Sequence, residues 1–103
     1  MAKKEETKFA ERVDRDLVEA FGTDIFFENI QQVTKVGSPD RLICLAGKFV
    51  ALELKVEKGK PSKIQLLKLA KIERAGGFSS VVFPETWPYV LDELKHIYGL
   101  RLL

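Results

Sequence analysis

The stretch from Arg41 to Lys55 constrains the fold most. Arg41-Leu42-Ile43-Cys44-Leu45 and the run from Phe49 to Val56 are rich in strand-forming residues, and Ala46-Gly47 stands between them, which is the pattern of a β-hairpin. A two-residue turn at Ala46-Gly47 pairs Leu45 with Lys48 and, counting outward, sets Asp40 opposite Glu53. Successive strand side chains point to opposite faces, so Glu53 and Lys55 share one face while Leu52 and Leu54 share the other. Directly opposed residues lie on the same face, and Asp40 therefore joins Glu53 and Lys55.

Two acids and one lysine thus converge on a strand that is otherwise apolar. Burying unpaired charge there is costly, and two neighbouring carboxylates repel each other. A divalent cation would answer both problems, because hard cations take oxygen ligands. An ordinary salt-bridge cluster around Lys55 is the alternative, since charge clusters are often structural.

Composition narrows the class. A chain of 103 residues, 46% hydrophobic and 31% charged, is expected to form one domain over 1–103, with a real core but little margin. The net charge of +2 makes no strong electrostatic case for nucleic acid by itself. Cys44 is the only cysteine, which excludes an internal disulfide and a cysteine-rich zinc site. No apolar run is long enough to span a bilayer. The lysines near Met1 are followed by acids rather than an apolar segment, unlike a signal peptide. The expected location is the cytoplasm, with no membrane partner.

The remaining elements follow from periodicity. Phe9, Val13, Leu17 and Phe21 recur at helical spacing and predict a helix over 5–21, stopped by Gly22; its acids Glu6, Glu11, Asp14, Asp16 and Glu19 mostly suit a solvated face. Ile25 to Val33 reads as a strand, with Gln31 and Gln32 on an exposed face or, as the alternative, in contact with a phosphate, and 34–39 as a loop. Ser62 is a good N-cap for a second helix over 63–75, to which Ile64, Leu67, Leu69, Ala70 and Ile72 give a broad apolar face. Gly76-Gly77 ends it, and 78–83 forms another strand. Thr86 is the expected cap of a last helix over 87–97, with Val90, Leu91, Leu94 and Ile97 inward, Trp87 and Tyr89 packing, and His96 on the surface. Residues 98–103 read as a short apolar tail. The fold class is α/β, in the order α-β-β-β-α-β-α, a four-stranded mixed sheet flanked by helices.

Gly37-Ser38-Pro39-Asp40 followed by Glu53-Leu54-Lys55 resembles the PD-(D/E)XK nuclease signature. With Gln65 and Gly76-Gly77, their order and spacing resemble more narrowly the VRR-NUC family (virus-type replication-repair nuclease), over roughly 6–84. The resemblance implies the restriction-endonuclease-like core of that superfamily, the same core that the pattern of elements gives.

It also implies chemistry. Asp40 and Glu53, with the backbone carbonyl of Leu54, would hold Mg²⁺ or Mn²⁺, and a helix-borne acid, Glu6 or as second choice Glu11, would complete the shell. Lys55 would orient the attacking water and offset developing charge, or act as a base if burial lowers its pKa. Gln65, in the first turn of the second helix, would stand at the edge of the site. Lys58, Lys60 and Lys63, with Lys68 and Lys71 further along, form an ordinary solvated face when read alone; beside a phosphate-cleaving site they become candidate backbone contacts. The implied activity is metal-dependent DNA endonuclease, selective for structure such as a branched or Holliday junction rather than for sequence, in a homodimer. A nuclease-like nucleic-acid-binding or assembly subunit without catalysis is the alternative, and a structural domain with a coincidental match is a third.

Overall fold

The computed structural model describes residues 4–30, 40–56 and 60–103. The first helix, α1, spans Glu5–Phe21 and buries the expected stripe of Phe9, Val13, Leu17 and Phe21. Each of these contributes roughly 1.5–3 kcal/mol by leaving water. Gly22 ends the helix with φ +55°, a conformation that glycine adopts without a Cβ clash. A short 3-10 turn leads into strand β1, Ile25–Asn29. The predicted strand runs on to Val33, and its last part falls outside the described residues. Residues 31–39, which carry Gln31, Gln32 and the Gly37-Ser38-Pro39 approach, lie outside the described residues.

Strands β2, Arg41–Leu45, and β3, Lys48–Leu54, form the predicted hairpin with Leu45 opposite Lys48 and Arg41 opposite Leu52. Both turn residues have positive φ, 48° at Ala46 and 86° at Gly47, the geometry whose twist suits a tight hairpin. Helix α2, Lys63–Arg74, opens on a capping box: the Gln65 N–H donates to Ser62 Oγ (3.1 Å), and Gln65 Oε1 accepts from the Ser62 N–H (2.9 Å). Strand β4, Phe78–Val82, returns parallel to β3, as a strand–helix–strand connection allows. Helix α3, Trp87–Arg101, is longer than expected, and 98–101 belong to it rather than to a tail. Thr86 does not cap it through its side chain; its hydroxyl instead accepts from the Phe83 N–H and donates to the Phe83 carbonyl.

The sheet order is β1-β2-β3-β4, antiparallel except for the β3–β4 pair. One face carries Ile43, Leu45, Val50, Leu52 and Val82 against α1 and α3, whose Trp87, Val90 and Leu94 complete the core. Trp87 is fully buried, and its indole N–H reaches Asp16 Oδ2 at 2.8 Å. Tyr89 is exposed rather than packed. The opposite face is covered only in part. Helix α2 lies over it through Leu69, and the Ser79 hydroxyl donates to the Leu69 carbonyl. The broad inward face expected of α2 does not exist. Leu69 is buried and Ile72 half-buried, while Ile64, Leu66, Leu67 and Ala70 are exposed, because these apolar residues run round the helix and only one side of it meets the sheet. Among the described residues no helix is long and apolar enough to cross a membrane.

Candidate active site

The hairpin register places its two acids where counting predicts, at the end of the strands away from the turn. Arg41 is the last β2 residue paired with β3, opposite Leu52, and Asp40 and Glu53 come next on either side. Three hydrogen bonds, besides the one it shares with Glu53, fix Asp40. Its Oδ2 accepts from the Leu54 N–H at 2.8 Å. Its carbonyl accepts from the Ile30 N–H at 2.9 Å and from Arg41 Nη1 at 3.1 Å. The Lys55 N–H donates to the Val82 carbonyl at 2.9 Å, which extends the β3–β4 ladder and holds the lysine next to the acids.

Glu53 is only 4% exposed. Burial pushes its carboxyl up to about 8, and its hydrogen bond to Asp40 and that residue's negative charge push the same way, against a smaller opposing effect of Lys55. Glu53 Oε2 is buried with no hydrogen-bond partner among the described residues. A buried acceptor left unpaired is costly, and natural cores seldom leave one without a reason.

A cavity of about 640 Å³ opens over this pair. From α1 it is lined by Glu6, Thr7, Ala10, Glu11 and Asp14; from the sheet and its flanks by Asn29, Ile30, Asp40, Arg41, Glu53, Leu54 and Lys55; and from α2 by Gln65. Six sequence candidates, Glu6, Asp40, Glu53, Leu54, Lys55 and Gln65, therefore meet in one place, as does the second-choice acid Glu11. Glu6 lines the cavity without joining the pair. Among the described residues no three acidic, histidine or cysteine side chains converge closely enough to hold an ion by themselves. Gln65 stands at the rim as expected, but its side-chain oxygen is engaged in the helix cap. Lys60, Lys63, Lys68 and Lys71 do not line the cavity; Lys60, Lys63 and Lys71 are exposed and Lys68 half-buried. Lys58 lies outside the described residues.

Sequence reasoning missed Asp14 and Arg41. Asp14 was expected to be solvated, yet it receives Arg41 Nε at 2.9 Å and Nη2 at 3.3 Å. The available signal was Arg41 itself: the hairpin register puts it opposite Leu52, on the apolar face, where a guanidinium demands an acid.

The donor set suits a hard divalent cation. It offers oxygen from two adjacent carboxylates, one of which carries a buried oxygen with no partner among the described residues, and the positive charge of an ion would relieve both the repulsion and that deficit.

No family model and no curated protein sequence matches the chain. Among solved structures, it is similar to a "VRR_NUC domain" at 23% identity, with a TM-score of 0.61, over 80% of this chain and 92% of that one. The likeness shows a shared fold, the one that the Pro39-Asp40 and Glu53-Leu54-Lys55 motifs imply.

Proposed function

We propose that the chain is a nuclease of the VRR-NUC kind that hydrolyses phosphodiester bonds in DNA with the help of Mg²⁺ or Mn²⁺. One observation carries the reading: Asp40 and Glu53 converge beside Lys55, with Glu53 Oε2 buried and without a partner among the described residues. A salt-bridge cluster would have used that oxygen. The VRR_NUC fold likeness adds support.

Asp40, Glu53 and the Leu54 carbonyl would hold the ion, and Glu6, exposed on α1 at the cavity wall, would reach it through water. An ion held there supplies Lewis-acid charge to a phosphoryl oxygen and makes water a stronger acid. Lys55 orients the attacking water and offsets the negative charge that grows on the phosphoryl oxygens. Asp40, fixed by three hydrogen bonds, keeps the donor set in place without reorganisation during the reaction. The phosphate backbone is held by Lys58, Lys60, Lys63, Lys68 and Lys71, so binding rests on charge and shape rather than on base identity. Such binding favours branched or junction DNA over a particular sequence. The active species is a homodimer, a proposal that the exposed Ile64, Leu66, Leu67, Phe26 and Phe49 support as surface left for a second copy.

A cleavage panel of single-stranded, duplex, flap and four-way-junction DNA, each with Mg²⁺, Mn²⁺ or chelator, tests this. Metal-dependent cleavage, strongest on a branched substrate, is the expected outcome. Binding without cleavage under every condition would favour a non-catalytic subunit instead.

A further inference from the structure

The Asp14–Arg41 pair poses a question that fold stability does not answer. Arg41 is 7% exposed on the apolar face of the sheet. Taking a guanidinium out of water is costly, and a buried ion pair replaced by apolar residues of similar size is often neutral or stabilising. The pair is nevertheless built with care. Nε and Nη2 of Arg41 grip both oxygens of Asp14, at 2.9 and 3.3 Å, in the planar fork that arginine alone provides. The third nitrogen, Nη1, turns to the Asp40 carbonyl at 3.1 Å. Asn29 Nδ2 stands 3.5 Å from Asp14 Oδ2. The two side chains of the pair thus tie α1, the end of β1 and the backbone of Asp40 together.

Asp14 also occupies a telling place on α1. Thr7, Ala10, Glu11 and Asp14 line the cavity at the i, i+3, i+4 and i+7 positions of one helical face. Holding Asp14 fixes the rotation and the axial position of that face, and hence the distance from Glu6 and Glu11 to Asp40 and Glu53. Helix α1 is otherwise held by apolar contacts of Phe9, Val13, Leu17 and Phe21, which have no direction, and by the Trp87 indole N–H on Asp16 Oδ2, which ties it to α3 rather than to the strands that carry the acids.

Building on the proposed metal-dependent reading, we infer that Arg41 and Asp14 are positioning residues of this site: the fork sets the acid-bearing face of α1 against the Asp40–Glu53 pair. Their purpose is the geometry of cation binding, and the stability of the fold does not depend on them. Residues that orient metal ligands from behind typically change affinity 10–100-fold when removed.

The test replaces both partners together, Arg41→Met with Asp14→Leu, so that no buried charge is stranded. Mn²⁺ affinity is measured by calorimetry, thermal stability and hydrogen exchange in chelator, and kcat and KM on whichever substrate the wild type cleaves. The double variant is expected to melt within a few degrees of the wild type in chelator. Its Mn²⁺ affinity should fall about 10–100-fold, kcat should fall at saturating metal with KM for DNA little changed, and exchange should quicken at the Ile30 amide, which donates to the Asp40 carbonyl. Arg41→Lys keeps the charge without the fork and should show the same losses to a smaller degree. It also stands as the test if the double variant does not fold. A folded variant with wild-type Mn²⁺ affinity and kcat would overturn the inference and leave the metal reading intact. A wild-type protein with no Mn²⁺ affinity would overturn the metal reading, and this inference with it.

Discussion

The two ends of the β2–β3 hairpin are built from the same pair of strands and end in opposite conditions. At the turn, polar groups find partners at the rim. The Ala46 N–H reaches the Asp24 carbonyl at 3.0 Å, Arg101 Nε donates to the Ala46 carbonyl at 3.1 Å, Lys48 Nζ donates to the Gly76 carbonyl at 2.6 Å, and the Tyr98 hydroxyl donates to Asp24 at 2.7 Å. At the other end the strands carry two adjacent acids, one of them buried with an oxygen unpaired among the described residues. Stability alone would favour the arrangement at the turn in both places. The difference separates a closure built to hold the fold from a mouth that tolerates a cost, which is where proteins keep chemistry.

Replacing the acids should break the contrast most strongly. Asp40→Asn and Glu53→Gln keep shape and remove charge, so cleavage should drop by more than about a thousandfold, at or beyond the upper range for deleting a single transition-state contact, while the circular-dichroism spectrum stays that of the wild type. Wild-type cleavage by either variant would place the site elsewhere. Lys55→Ala comes next, with kcat lower by about a hundredfold and DNA affinity little changed, because the ammonium acts mainly as charge develops; lost affinity with kept turnover would make Lys55 a grip on the substrate.

A third expectation concerns pH. An unfolded Glu53 releases its proton near 4.5 and the folded one at about 8. Between those values the folded state holds the proton more firmly, so metal-free stability should fall as pH rises through that window. Melting temperatures in chelator across the window should show this slope for the wild type and a much weaker one for Glu53→Gln. The turn end should give the smallest effect on activity. Gly47→Ala meets φ 86° and Arg101 Nη2 only 2.9 Å from the new Cβ. Stability should drop by about 1–2 kcal/mol, read by denaturant melts, with cleavage per folded molecule unchanged. Equal loss of activity from Gly47→Ala and Lys55→Ala would erase the distinction between the two ends.

Much of this was legible because it depends on local counting. The hairpin register needed only the two-residue turn at Ala46-Gly47, and the inward stripe of α1 only a period of 3.6. The Ser62 cap of α2 was equally local. Two kinds of feature were not legible. The apolar residues of α2 surround the helix, so its sequence does not say that Leu69 points in and Leu67 out; the sheet decides that. The Asp14–Arg41 fork joins residues 27 apart in sequence, and nothing near Asp14 distinguishes it from the solvated acids of α1. Gln65 shows a third case: the motif places it at the edge of the site, and the structure adds a local role in the helix cap that the sequence reading did not name.

The central claim, that the mouth of the hairpin is a divalent-cation site, is tested most directly by calorimetric titration of Mn²⁺ into the metal-free protein near pH 7, in two buffers of different ionisation enthalpy. Glu53 must give up its proton to become a ligand, and with its carboxyl held up to about 8 it begins largely protonated at that pH. The account predicts saturable binding with release of about one proton per ion, and loss of both the binding and the proton release in Glu53→Gln. No saturable heat in the wild type, or equal affinity and proton release in Glu53→Gln, would contradict it.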